Sequence, residues 1–301
     1  MRIFLTIFVL FALATPANAA CVGGTCFWIG GAGTLNLSSD SAHWSITSGG
    51  LTCACEPATS DDIVFDGSSG GGTVTVTVGG GTWTANTITC GAFTGTLDFA
   101  TSNNNVSVGS FSCTGSATRT LNLGNGTWSL TGGAALWNLI TTTNLTFNAN
   151  SSTIQFSGAA SNFRRFFGGG LTYNVVSINS SANQAFIISG TNTIATLTIS
   201  APNRIDFAPS VTQTITTFTN ISGSSGSEVN IDVSDTTSGK ATISSANNWT
   251  CTWCGLRDMA FTGGGAFTAT NSFDLGNNTG ITITAPSAGS GGGSKIIGGG
   301  L

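Results

Sequence analysis

The chain has 301 residues, a formal net charge of −4 and only 7% charged residues. Its eight Lys and Arg give no basic footprint for nucleic acid, and its single His, His43, argues against multi-His metal sites and His-dependent catalytic triads. Gly is abundant at 43 residues, yet Val, Ile, Leu, Phe and Trp recur at strand-like spacing, so a packed core is expected rather than disorder.

Residues 1–19, MRIFLTIFVLFALATPANA, combine Arg2, a short apolar run and the small-x-small sequence Ala17-Asn18-Ala19. That pattern predicts a secretory signal peptide, cleaved before Ala20-Cys21. The apolar run is shorter than the ~20 residues of a membrane span and is broken by Pro16. No stable membrane span is therefore expected in the mature chain, and export makes disulfides available to its eight cysteines.

Residues 20–66 are dense in Cys and Trp, holding Cys21, Cys26, Cys53, Cys55, Trp28 and Trp44. They read as an N-terminal cap stapled by disulfides, although four cysteines allow three connectivities. Trp44 is a possible carbohydrate-stacking contact, and its neighbour His43 is expected to be a satisfied cap residue. Asp61, Asp62 and Asp66, with Glu56 nearby, form the densest group of carboxylates. The surrounding PATSDDIVFDG reads as turn chemistry; a cation site would need several converging oxygens, and glycoside hydrolysis two facing carboxylates.

From 67 to 246 apolar residues alternate with Thr, Ser or Asn, as in TVTVTVG (73–79), VSVGSF (106–111), NLTFNA (144–149), TIATLTIS (193–200) and EVNIDV (228–233). These are half-buried strands separated by Gly, Asn and Ser turns. A longer step is superimposed: Ile194 and Leu197 are followed 21 residues later by Ile215 and Phe218, and Phe186 precedes Phe207 by the same 21. Cys90 and Cys113 each close a strand, 23 residues apart. A step of this size matches one coil of a single-stranded parallel β-helix, in which stacked coils share one core. The expected fold is thus an all-β solenoid of repeats over 67–246, with one or two β-sandwiches as the competing architecture.

Stacking would set Cys90 and Cys113 about 5 Å apart, so a rung-to-rung disulfide is predicted. Within the repeats, NFRRFFGGG (162–170) reads as an insert breaking the period. Its Arg164 and Arg165 are possible ligand contacts for an anionic sugar or a partner, set against an inter-coil loop whose Phe residues enter the core.

Residues 247–285 open with NNWTCTWCGLRD, containing Cys251-x-x-Cys254, and run into a last coil and cap. The pair is weighed as a structural disulfide, a redox centre or half a metal site. A redox centre needs a helix N-terminus to stabilise its thiolate, and no helical period follows. A zinc ribbon needs a second pair at suitable spacing, and Cys53-x-Cys55 lies about 200 residues away. The structural disulfide is the expectation. Residues 286–301, PSAGSGGGSKIIGGGL, read as a flexible Gly/Ser tail.

Several strings resemble phage-encoded and metagenomic β-helix repeat proteins, which are uncharacterised minor structural or surface proteins. They are FWIGGAGTLNLSSDSAHWS, PATSDDIVFDGSSGGGTVTV, GTLDFATSNNNVSVGSFSCTGSATRTLNLGNGTWSLTG, FGGGLTYNVVSI and FDLGNNTGITITAP. The resemblance covers nearly the whole mature chain and carries no catalytic signature. It implies an elongated β-helical surface or virion protein that self-associates or joins a larger assembly.

The expected function is therefore non-enzymatic: an exported or virion-associated β-helix that mediates assembly or adhesion, without a cofactor or bound metal. The alternatives are a carbohydrate-binding adhesin and a tailspike-like polysaccharide-degrading enzyme. A groove with two facing carboxylates would support the enzyme and an exposed row of Trp the binder; neither would support the scaffold.

Overall fold

A computed structural model describes residue 21 and residues 24–287, apart from the short segments 37–40, 78–80, 135, 159–162, 181–184, 201–203 and 220. The expected signal peptide and most of the expected tail lie outside the described residues. Among those residues there is no helix, and the strands form sheets of nineteen, five and three strands. Every ladder between these strands is parallel except one, in which Trp44–Ser45 runs antiparallel to Thr25–Trp28. A sandwich would pair its strands antiparallel. The chain is instead a parallel β-solenoid.

Its register follows from which side chains can share the narrow interior. One face stacks Trp83, Val106, Trp128, Ile154, Val176, Leu197 and Phe218 in direct register. A second stacks Cys26, Ile63, Ile88, Phe111, Trp137, Phe166, Ile188, Phe207 and Val233. A third, the five-stranded sheet, joins Val74, Leu97, Leu121 and Phe147. Slipping any coil by one residue would turn its apolar set outward and its Thr and Ser inward, so the alternation fixes the stack. Rings knit successive coils together. Trp128 meets Phe99 at 4.5 Å, Phe111 at 5.3 Å and Trp137 at 5.6 Å, and Phe147 meets Tyr173 at 5.0 Å.

The coil length is not fixed. In-register pairs are 26 residues apart at Asn122–Asn148, 21 at Thr198–Thr219 and 18 at Thr252–Thr270. Ile194 and Leu197 pair with Ile215 and Phe218 as the sequence period predicts. Phe186, however, pairs with Ile205, and Phe207 pairs with Ile188. The short turn between these strands removes two residues locally, so the 21-residue match of Phe186 to Phe207 is coincidental. NFRRFFGGG is likewise not an insert: Arg164–Phe167 is a strand of the second face, between Leu136–Asn138 and Ala185–Ser189.

The expected caps are largely coil. Thr25–Trp28 already pairs in parallel with Asp62–Val64, and Gly33–Asn36 with Thr73–Thr77. What caps this end is the antiparallel Trp44–Ser45, which covers the edge of Thr25–Trp28. At the other end parallel pairing continues through Trp249–Thr252 with Phe267–Thr270 and then Thr282–Ile283. Coils approach closely where glycines face each other: a Cβ on Gly115 would lie 1.2 Å from the Gly91 carbonyl oxygen, so no larger residue fits there.

Outward, the first face presents two rows. One runs Thr84, Ser107, Ser129, Gln155, Ser177, Thr198 and Thr219, each in register with the next. The other lies two residues earlier on the same strands: Thr82, Asn105, Thr127, Thr153, Val175, Thr196 and Thr217. None of these residues is charged. The corresponding outward row of the second face includes Asp62, Arg165, Asp206 and Asp232.

Candidate functional site

All eight cysteines are paired: Cys21–Cys26, Cys53–Cys55, Cys90–Cys113 and Cys251–Cys254, with Cα separations of 5.7, 5.1, 4.5 and 6.3 Å. Each lies in the range a disulfide accepts. Cys90–Cys113 is the rung-to-rung bridge that the 23-residue step predicts. At the N-terminal end the two disulfides abut, with the Cys21 and Cys55 sulfurs 3.3 Å apart and Asp61 beside them. Metal coordination there would require thiolates, and these sulfurs are held in disulfide bonds.

Cys251 and Cys254 point inward and are buried. They flank Trp253, which takes a positive φ of 59° where the chain turns from one strand into the next. A strand, Cys254–Leu256, follows the pair, so the helix N-terminus of a redox C-x-x-C is missing here. The bridge fastens a coil corner. It lies inside the parallel stack rather than at its end, because strands continue to Ile283.

The residues expected to touch ligands are divided by burial. Trp44 is fully buried, packed edge-on against Trp28 at 5.2 Å and near Phe65 at 6.4 Å. Arg164 is 2% exposed and points to the interior side of its strand, its Nη2 donating to the Ser157 carbonyl at 2.8 Å. Neither offers its side chain to a surface ligand, because strand alternation puts both inward. Arg165, the next residue, is exposed. Of the flanking aromatics, Phe166 is buried and Phe163 exposed. Trp28, Trp83, Trp128, Trp137 and Trp249 are also buried, and Trp253 is half-buried beside Phe273. No row of Trp faces outward among the described residues.

The N-terminal carboxylates diverge. Asp61 accepts from the Ala58 amide at 2.8 Å. Asp62 accepts from Asn86 at 2.8 Å and Thr87 at 2.6 Å on the next coil, and Asp66 accepts from the Ser68 amide at 2.8 Å. They serve turns and coil-to-coil bonds and do not converge on one point.

A different charged group does converge. Asp206 and Asp232 are direct neighbours on adjacent coils of the second face, each 5% exposed. Arg204 Nε donates to Asp206 at 2.7 Å and its Nη2 to Asp232 at 3.4 Å. Arg257, from the following coil, forks onto Asp232 through Nε at 2.9 Å and through Nη2. Asp232 also accepts from the Val233 amide at 2.8 Å, so both its oxygens are occupied. Burial pushes the Asp206 carboxyl above the usual carboxylate range, opposed by its bond to Arg204. The bond to Asp232 raises the Arg257 guanidinium further. Two adjacent carboxylates could in principle share acid and base roles. Here two guanidiniums neutralise them, and the group is a charged clamp across three coils.

Arg119 is the other interior cation. Only 2% exposed, it donates to the carbonyls of Ala117, Thr143, Cys113 and Thr141 at 2.8 to 3.2 Å. It thereby joins two successive turns, and burial lowers its guanidinium from the ordinary value. The sequence hinted at the clamp only through Arg204-x-Asp206 and Asn230-x-Asp232, whose alternation puts these four side chains on one side. Nothing in the sequence marks Arg119. On the flank of the second face, Ile140, Phe167, Ser189 and Thr191 help line an uncharged hollow of about 300 Å³.

Comparison with protein-family models, with curated proteins and with solved structures finds no match for the chain.

Proposed function

We propose that this protein is an exported, non-enzymatic β-solenoid acting as a rigid scaffold in a surface or virion assembly, in line with its resemblance to phage-encoded β-helix proteins. The observation that carries the reading is how its chemistry is used. Adjacent carboxylates are locked by arginines, and buried Trp serves the core rather than a binding platform. Long rows of uncharged Thr and Ser remain outside. A stack of this kind is stiff, because each coil is held by its neighbours on every face.

Tagged protein expressed from its native host tests the reading by fractionation and electron microscopy. The expected result is recovery of the mature chain in surface structures or particles, with no release of reducing ends from a polysaccharide panel. Recovery solely as a free soluble monomer, or measurable polysaccharide cleavage, would overturn it.

A further inference from the structure

We infer that the two outward rows of the first face form an ice-binding surface. The inference goes beyond the scaffold reading and holds whether or not the protein assembles. Adjacent coils repeat at ~4.8 Å and alternate residues along a strand at ~6.7 Å, so the rows form a two-dimensional lattice. The lattice is fixed before any ligand arrives. Its side chains are largely half-buried against one another, and the Thr198 and Thr219 hydroxyls stand 2.6 Å apart. Each Thr presents a hydroxyl beside a methyl, which suits an ordered water layer better than a charged or purely apolar partner.

Size and composition decide among occupants. The rows cover roughly 30 Å by 12 Å, about 350 Å² once side-chain width is included. A stable protein interface needs ~800 Å² per partner, with aromatic or Arg anchors near its centre. Neither row contains an aromatic residue or a charge, which disfavours a second copy of the chain. The same lack disfavours a polysaccharide, which would be held by stacking on exposed rings. A neutral, rigid and periodic face fits a neutral, rigid and periodic partner, and ice is such a solid with repeats of similar size.

The test uses the oxidised mature protein in a nanolitre osmometer and an ice-recrystallisation assay. Wild type is expected to shape ice crystals and to show thermal hysteresis that rises with concentration. Thr153→Lys and Thr198→Lys, in the middle of the two rows, are expected to abolish both effects. Ser112→Lys, outward on the second face, is expected to keep them. Far-UV circular dichroism of each variant checks that the fold is retained, and sedimentation follows the mass. Absence of ice shaping by folded wild type would overturn the inference. So would equal activity in all four proteins, dimerisation lost in the Thr153 and Thr198 variants, or capture of wild type by insoluble polysaccharide but not by ice.

Discussion

At the scale of single residues, interior polar groups hold the turns in place. Arg119 spans four carbonyls from two turns, and burial leaves those oxygens no ready replacement from water. Arg119→Met should lower unfolding free energy by about 3 kcal/mol, since each bond to a charged group is worth ~1.5–3 kcal/mol and the bonds are not additive. Urea denaturation followed by circular dichroism checks this; an unchanged midpoint would show that the clamp is idle. Asp206 supplies a dependence on pH. Burial makes its folded carboxyl hold a proton more tightly than the unfolded one. Its contribution is therefore complete below the ordinary carboxylate value and declines as pH rises through the raised folded value. Asp206→Asn cannot titrate, so its stability relative to wild type should climb through that acid window and level off above it. Unfolding titrations at a series of pH values measure the difference, and a difference independent of pH would refute the assignment.

At the scale of strands and coils, the Cys90–Cys113 bridge joins neighbouring rungs and closes a loop of 23 residues. Replacing both with Ala should cost about 3 kcal/mol by the loop-entropy relation, read as a fall in the denaturation midpoint of the oxidised protein relative to wild type. Equal midpoints would mean that coil stacking alone already orders this loop. This bridge was legible in the sequence because both cysteines end apolar alternating strands and the local step holds. The strands themselves were legible for the same reason, since a half-buried ladder writes its period directly into Thr and Val. Register was harder. The Phe186–Phe207 step fails because one turn shortens the coil to 19 residues, and a sequence period averages over such turns. Arg164 was misplaced because alternation tells which residues share a side but not which side is inside when its strand is short and a charge sits on both. The Arg204–Asp206–Asp232–Arg257 clamp depends on three coils coming into register, which no local pattern fixes. The Cys/Trp clusters suggested caps, yet solenoid interiors accept both residue types wherever a coil turns, as Cys251 and Cys254 do.

At the scale of the whole molecule, parallel stacking makes stability a sum over neighbouring coils, so the two ends can open independently of the middle. Those ends differ. Trp44–Ser45 closes one edge by antiparallel pairing, whereas at the other the stack runs down through the two-residue strand Thr282–Ile283. The aromatic core is unevenly distributed along this axis in a way that bears on measurement. Trp28, Trp44, Trp83, Trp128 and Trp137 lie in the first half, Trp249 and Trp253 near the far end, and no Trp occurs between 138 and 248. Intrinsic fluorescence is therefore a two-ended gauge with a dark centre. Emission changes report the N-terminal coils and the Cys251–Cys254 corner separately, while the loss of strands such as Thr193–Ile199 registers only in backbone absorption.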